Sequence, residues 1–533
     1  MSDATARDVW WRSAVLYQIY VRSFADSNDD GHGDLQGVIE RLDHLSWLGV
    51  DAIWLSPITP SPNADWGYDV SDHTAIDPTY GDFGVFDRLV AAANDRGIRL
   101  ILDLVPNHTS DQHPWFVDAR SGPTAAHRSW YVWADGSTDG TPPNNWRSVF
   151  GGPAWTFDDR TRQFYLHNFL PEQPDLNWWN EDVRRAFDDI LRFWFDRGIA
   201  GFRIDVANGI VKDRHLRDDP PSLEDDHPRE STTGLRPVYN MNRPEVHDVL
   251  RRWRRIADSY RPSRLLIGET WLFDLHERAR YYGDDDEVHL PLNFPFVFSP
   301  FGLELREVVE ATEAATPGES WPVWAASNHD VGRFATRWCG GDDRKIRAAM
   351  FVLLTLRGTS ILYQGDEIGM ADGDVPSTRL RDPVALRGPR GAEGRDGART
   401  PMRWDARPNG GFTADRVEPW LPVTEPATCN VADQRADPTS VLHLCRDLIA
   451  LRRARSDLGL AGYTSVEAPT GIWAWMRGRV LVAVNCSEQA VDLPIDQVVI
   501  LIGTRRDRDG RRESGQLRLD PWEAVALVPD VHA

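Results

Sequence analysis

The sequence predicts an α/β protein built on a (β/α)8, TIM-type barrel. It also predicts a small domain inserted after the third strand and an antiparallel β domain at the C-terminus. Three observations carry this. Short β-branched or apolar runs alternate with amphipathic helical stretches; eight such runs read as strands; and beyond residue 455 the pattern changes to GIWAWM, GRVLVAVNC and EAVALV with turn residues between them. Strand–helix alternation implies parallel strands joined by right-handed crossovers. Eight units favour a closed barrel, although an open doubly wound sheet has the same local signature.

In chain order the strand runs are VLYQIYV (15–21), DAIWLSP (51–57), RLILDLV (99–105), GFRIDV (201–206), LLIGET (265–270), EVHLPLNF (287–294), PVWAASNHD (322–330) and SILYQGDE (360–367). Helical periodicity follows at 35–48, near 83–96, and at 183–196, 244–259 and 344–357. Residues 1–107 and 177–454 are assigned to the barrel, 108–176 to the inserted domain and 455–533 to a C-terminal β-sandwich. Two more long, weakly periodic segments, 212–243 and 370–412, follow strands. The 212–243 segment is expected to be lid-like. Long loops inside compact domains are uncommon unless they serve function, and in a barrel these fall on the face where active sites form.

Composition narrows the partners. A formal charge of −21 argues against nucleic acid or an anionic membrane surface. The hydrophobic fraction of 41% is ordinary for a globular chain, and no apolar run approaches a membrane span. The N-terminal MSDATARDVWW has no signal-peptide pattern, and the four cysteines (Cys339, Cys429, Cys445, Cys486) show no CxxC spacing. A reducing cytoplasm with inert thiols is expected. Most of the 23 tryptophans should be core; a minority could stack on sugar.

Acids recur at the C-terminal ends of the strand runs: Asp103, Asp205, Glu269 and Asp330. A carboxylate in an apolar run is costly unless paired, so several converging on one barrel mouth indicate chemistry. Glycoside hydrolysis with retention needs one ionised carboxylate as nucleophile and a second as acid, then base. Asp205, two residues after Arg203, suits the nucleophile, with the arginine lowering its pKa. Glu269, between an apolar strand and Trp271, suits the proton donor whose pKa an apolar wall raises. Asp330 could hold sugar hydroxyls and stabilise the oxocarbenium-like transition state. Asp103 is expected to be structural.

The segment Asp26-Ser-Asn28-Asp-Asp30-Gly-His32-Gly-Asp34 alternates oxygen donors, with the His32 carbonyl available as a fifth. Hard oxygens and net negative charge select Ca²⁺, with Mg²⁺ second. A solvated Asx-rich turn is the plainer alternative.

The strings DLVPNHTS, GFRIDVAN, IGETW and SNHDVGR resemble, in order and spacing, the four signature regions of the α-amylase superfamily of glycoside hydrolases. QPDLN (173–177) resembles a fifth region of its oligo-1,6-glucosidase and α-glucosidase branch. The resemblance covers about residues 10–533. It implies Asp205 as nucleophile, Glu269 as acid/base and Asp330 as stabiliser, with Tyr68, His108, Arg203 and His329 around the sugar. It further implies that Asp65 (DWGYD) and Arg399 (ARTPMRW) pair at the closed end of a single-glucose pocket, with Phe150 and Phe169 as its aromatic wall. The loop at 26–34 matches a structural calcium loop of that branch. Endo-acting members usually carry Lys-His three and four residues after the nucleophile; Asn208 and Gly209 stand there, which favours exo-action. Val206 resembles the residue that accompanies α-1,6 linkages, but the following Ala-Asn departs from that pattern.

The implied activity is an exo-acting retaining α-glucosidase on short oligosaccharides. The alternatives are a transglucosidase, sucrose isomerase or trehalose synthase, and, in another class, a catalytically dead binding subunit. Linkage, aglycone and oligomeric state stay open.

Overall fold

The computed structural model describes residues 9–230, 232–388 and 394–530. Eight parallel strands form the central sheet: β1 (Val15–Ile19), β2 (Ala52–Leu55), β3 (Arg99–Leu104), β4 (Gly201–Ile204), β5 (Leu265–Gly268), β6 (Leu290–Pro291), β7 (Val323–Ala325) and β8 (Thr359–Tyr363). The ladder runs β7-β8-β1-β2-β3-β4-β5-β6, so it curls into a nearly closed barrel whose terminal strands are the shortest. Seven of the strand runs predicted from sequence contain one of these strands, and the eighth, 360–367, overlaps all but the first residue of β8.

Side-chain alternation divides the strands between two cores. Leu16, Ala52, Trp54, Ile101, Leu265, Ile267, Val323 and Ile361 fill the barrel. Their neighbours Val15, Tyr17, Ile53, Leu55, Leu102 and Phe202 pack outward in the larger core shared with the helices. That alternation points Gln18, Asp103, Arg203, Asp205 and Glu269 inward at the C-terminal ends of their strands.

The surrounding helices include α1 (Leu35–Leu48), α2 (Phe83–Asp95), α3 (Glu181–Asp196), α4 (Val246–Asp258), α5 (Leu303–Ala315), α6 (Asp343–Thr355) and α7 (Val441–Ala454). The first three begin at side-chain caps, Asp34, Asp82 and Asn180. Such caps satisfy N–H groups that the helix itself cannot. The inserted segment holds a three-stranded antiparallel sheet of Trp133–Ala134, Gln163–Leu166 and Trp155–Asp158.

The C-terminal strands are hydrogen-bonded into one six-stranded antiparallel sheet. The long strand Val491–Gly503 has register shifts at Ile495/Val498 and Ile500/Ile502. Such irregularities bend a sheet. Ile472 and Ala474 face the sheet's own core, whereas Trp473 and Trp475 join the barrel's outer core. No helix among the described residues is long and apolar enough to cross a membrane.

Candidate active site

Arg203 organises the barrel mouth. Its Nη1 donates to Asp103 Oδ1 and to Asp205 Oδ1, both at 2.7 Å, and its Nη2 lies 2.8 Å from Glu269 Oε1. Asp103 and Arg203 are register partners on adjacent strands. Asp103 also accepts from Trp54 Nε1 and Tyr68 Oη, each at 3.1 Å. With that many partners and a side chain without exposure, Asp103 acts as a scaffold for the mouth.

Two electrostatic expectations change. Asp205 is 5% exposed, and burial drives its pKa well up; Arg203 opposes this while Glu269, Asp103 and Asp330 add to it. One guanidinium shared among three carboxylates cannot hold each of them low. The environment of Glu269 is not the apolar wall expected either. Its Oε2 accepts the Val206 N–H at 2.9 Å while Oε1 faces Arg203. Trp271 packs instead on Phe294 and Phe298, with ring centroids 4.5 and 5.6 Å away.

His329 lies flat on Tyr68, with centroids 5.1 Å apart and ring planes within 3°. Gln18 Nε2 donates to its Nδ1 at 2.8 Å, so its proton sits on Nε2, which donates to Tyr68 Oη at 2.5 Å. Burial lowers its pKa to about 3, so the ring is neutral at ordinary pH. Nε2 is also 3.2 Å from Asp330 Oδ2. Asp330 is held below the usual carboxylate range: burial opposes this, and His329, Arg395 and Arg399 outweigh it.

The closed end differs from the implied pairing. Asp65 is bound not by Arg399 but by Arg395, whose Nη2 lies 2.7 Å from Asp65 Oδ1. Arg399 sits behind Asp330, with Nη2 at 2.9 Å from its Oδ1 and Nε donating to the His329 carbonyl at 2.8 Å. Arg395 Nη1 reaches the same Asp330 oxygen at 3.0 Å. Having five donors lets Arg395 serve several acids at once.

The inserted segment supplies the remaining wall. His108 Nε2 donates to the Tyr68 carbonyl at 3.0 Å, and its ring lies 5.1 Å from Phe169. Phe150 lies 5.8 Å from Phe169 and under Arg395, whose guanidinium carbon is 5.5 Å from the ring centre. Buried Lys212 reaches Asp175 Oδ2 at 2.9 Å and donates to Asn107, tying the QPDLN string to the strand β3 and β4 loops.

Sequence reasoning missed Arg395, Gln18, Trp54 and Lys212. A glutamine inside VLYQI and a lysine beside apolar Ile210 and Val211 were legible as buried polar groups needing partners.

The loop after β1 forms successive Asx turns. Asp26 accepts the N–H groups of Asn28, Asp29 and Gly31, Asn28 accepts from Asp30, and Asp30 from His32. Asp34 caps α1, accepting from Gly37 at 2.7 Å. No group of three or more His, Cys, Asp or Glu side chains among the described residues is arranged as a metal centre.

A (β/α)8 barrel with this carboxylate–arginine mouth defines a glycoside hydrolase. The family model of the alpha-amylase catalytic domain matches residues 18–459, and the chain belongs to that family. A probable alpha-glucosidase of Rhizobium meliloti (strain 1021) is 41% identical over 93% of both chains. The oligo-1,6-glucosidase of Parageobacillus thermoglucosidasius is 36% identical over 97% of this chain and 98% of its own. Among solved structures, the alpha-glucosyl transfer enzyme XgtA superposes with TM-score 0.91 at 39% identity, covering 98% of this chain and 99% of its own.

Proposed function

We propose that the protein is an exo-acting, retaining α-glucosidase that removes terminal glucose from short α-1,4- or α-1,6-linked glucosides. The observation that carries this is Arg203, which puts Asp205 and Glu269 on the two arms of one guanidinium. Two carboxylates bridged by one guanidinium suit a retaining pair, in which the nucleophile and the acid leave no room for a directly attacking water. Asp205 would attack the anomeric carbon while Glu269 protonates the departing glycosidic oxygen. Glu269, now a carboxylate, would then take a proton from the water that releases glucose from Asp205. The low pKa of Asp330 keeps a negative charge beside the cationic sugar throughout.

Exo-action is supported by Asp65 and Arg395 walling one end of the site. The likeness to XgtA supports a second reading, in which an alcohol takes the place of water in the second step. Turnover on maltose, isomaltose, sucrose, trehalose and p-nitrophenyl α-glucoside, with anomers resolved, tests both. Release of α-glucose is expected; β-glucose would exclude retention, and transfer to an added sugar with no free glucose would favour the second reading.

We further propose that the loop at 26–34 binds a structural Ca²⁺, with Mg²⁺ as the weaker occupant; the run of oxygen side chains supports this. Asp26, Asn28, Asp30 and Asp34 would hold it with the His32 carbonyl, all hard oxygen donors. Burial, with Asp26 nearby, raises the pKa of Asp34, a penalty that a cation would relieve. Cytoplasmic residence is supported by the cysteines, all free.

A further inference from the structure

We propose that Gln18 is a positioning residue that fixes which nitrogen of His329 carries the proton, and through it orders the hydrogen bonds that reach Asp330 and the arginine behind Asp205. This rests on the α-glucosidase reading, in which Asp205 and Asp330 face the sugar.

The chain of donors is set from its far end. Asp103 meets Arg203 Nη1 at 2.7 Å and Trp54 Nε1 at 3.1 Å, both of which only donate. It is therefore an acceptor, and Tyr68 Oη donates to it at 3.1 Å. Having given its own proton away, Tyr68 Oη takes one from His329 Nε2, 2.5 Å distant. Asp330 Oδ2, 3.2 Å from the same Nε2, is a second acceptor. Burial keeps the ring neutral, so its one proton is on Nε2 and Nδ1 is a bare lone pair. Inside the barrel such an acceptor needs a donor, and the Gln18 amide supplies it at 2.8 Å. Neither Gln18 nor His329 is exposed, so bulk water does not compete for Nδ1.

Nothing else around the ring makes that choice. Tyr20 and Trp54 pack against it with centroids 5.9 and 6.3 Å away, which holds its plane but not its proton. The charged or titratable groups facing it are Asp330 beside it, Tyr20 after β1, Tyr68 after β2, Arg203 from β4, and Arg395 and Arg399 from the loop after β8. Among the described residues, Gln18 alone is hydrogen-bonded to Nδ1. Were the proton on Nδ1, Nε2 would present a lone pair to the Asp330 carboxylate, and Tyr68 would have to turn its hydroxyl away from Asp103 to fill it. Asp103 would lose a donor, and the carboxylate beside the cationic sugar would face a repulsive partner. The glutamine itself is fixed by the barrel. It is the register partner of Trp54 on β2 and Tyr363 on β8, and its carbonyl accepts the Gln364 N–H at 3.0 Å. Its side-chain oxygen has no hydrogen-bond partner among the described residues, so the amide serves through its N–H groups, to His329 and, at 3.4 Å, to Ser56 Oγ.

The test compares kcat and KM of wild type, Gln18→Met and Gln18→Glu on p-nitrophenyl α-glucoside between about pH 5 and about pH 8. Gln18→Met keeps the length of the side chain but donates nothing, so kcat should fall about 10- to 10²-fold with little change in KM. Gln18→Glu offers Nδ1 an acceptor, which draws the ring proton to Nδ1 near neutrality. At lower pH an added proton shared between the new carboxylate and Nδ1 lets Nε2 keep its own. The ratio of its kcat to that of wild type should therefore rise as pH falls, whereas the ratio for Gln18→Met should stay flat. ¹⁵N NMR of histidine-labelled protein, with His329 assigned by its absence from His329→Gln, should show a protonated Nε2 in wild type. In Gln18→Glu near neutral pH it should show a protonated Nδ1. A wild type with the proton on Nδ1 overturns the proposal, whether or not the variants fold. So does a Gln18→Met enzyme with wild-type kcat, or a Gln18→Glu ratio as flat with pH as that of Gln18→Met. A wild type that shows the protonated Nε2 but turns over no α-glucoside would instead overturn the α-glucosidase reading.

Discussion

Val206 holds a left-handed backbone conformation, φ +46°, and from it donates its N–H to Glu269 Oε2 at 2.9 Å. A β-branched residue in that region is strained by roughly 1–3 kcal/mol and persists only where its surroundings enforce it. Gly209 is part of that enforcement: its N–H donates to the Val206 carbonyl at 2.8 Å, and a Cβ built on it would lie 2.5 Å from Val206 Cγ1.

Gly209→Ala is accordingly expected to push Val206 aside and misorient Glu269. The kcat/KM should fall about 10-fold or more, a change of roughly 1.4 kcal/mol in transition-state energy. Val206→Ala in the same chain removes the clashing methyl and should recover most of the loss. The pair is therefore measured as a double-mutant cycle, and strictly additive effects would contradict the coupling.

Lys212→Met tests the clamp between the inserted segment and the barrel. Lys212 is 3% exposed and Asp175 is fully buried, so removing the ammonium leaves an uncompensated charge inside the protein. Breaking such a pair costs about 3–5 kcal/mol, whereas replacing both partners costs much less. Thermal unfolding of Lys212→Met should begin at a clearly lower temperature than wild type. The double variant Lys212→Met, Asp175→Asn should lie between them; equal loss in single and double variants would show that the charge pairing is not the cause.

These two couplings mark where the sequence was and was not legible. Strand and helix periodicity located every barrel strand, and the period of two placed Asp103, Arg203, Asp205 and Glu269 on one inward face. Local patterns carry that much because they repeat. The partner of Asp65 was not legible, since Arg395 and Arg399 lie four residues apart in one glycine-rich loop and either could reach the pocket. The environment of Glu269 was misjudged for a related reason. Its sequence neighbours are apolar, but its spatial neighbour, Arg203, arrives from the adjacent strand. Charge sharing among three acids is a property of the assembled mouth and has no signature in any one string.

Metal removal tests the loop after β1. Chelation followed by gel filtration is expected to lower the melting temperature, with Ca²⁺ restoring it more fully than Mg²⁺. Asp30→Ala should abolish the response while leaving Asp34 as the cap of α1. A melting curve indifferent to chelator and to added Ca²⁺ would reduce the loop to a run of Asx turns.

Asp366, buried behind the site, should give stability a pH dependence of known sign. Burial raises its pKa to about 7; the Tyr363 N–H, at 2.9 Å from Oδ2, Arg333 and a hydrogen bond from Ser327 pull the other way. The folded chain thus binds this proton more tightly than the unfolded chain, where an aspartate titrates near 3.9. The stability it contributes is complete below about pH 4 and is lost as pH rises through about 7. Asp366→Asn keeps an acceptor for the Tyr363 N–H and has nothing to titrate. Calorimetric melting between about pH 5 and about pH 8 should show a decline in wild type that is shallower in the variant. The variant should be the more stable of the two at the alkaline end. Parallel curves for the two proteins across that window would mean that Asp366 keeps an ordinary carboxylate pKa and that another group gives the dependence.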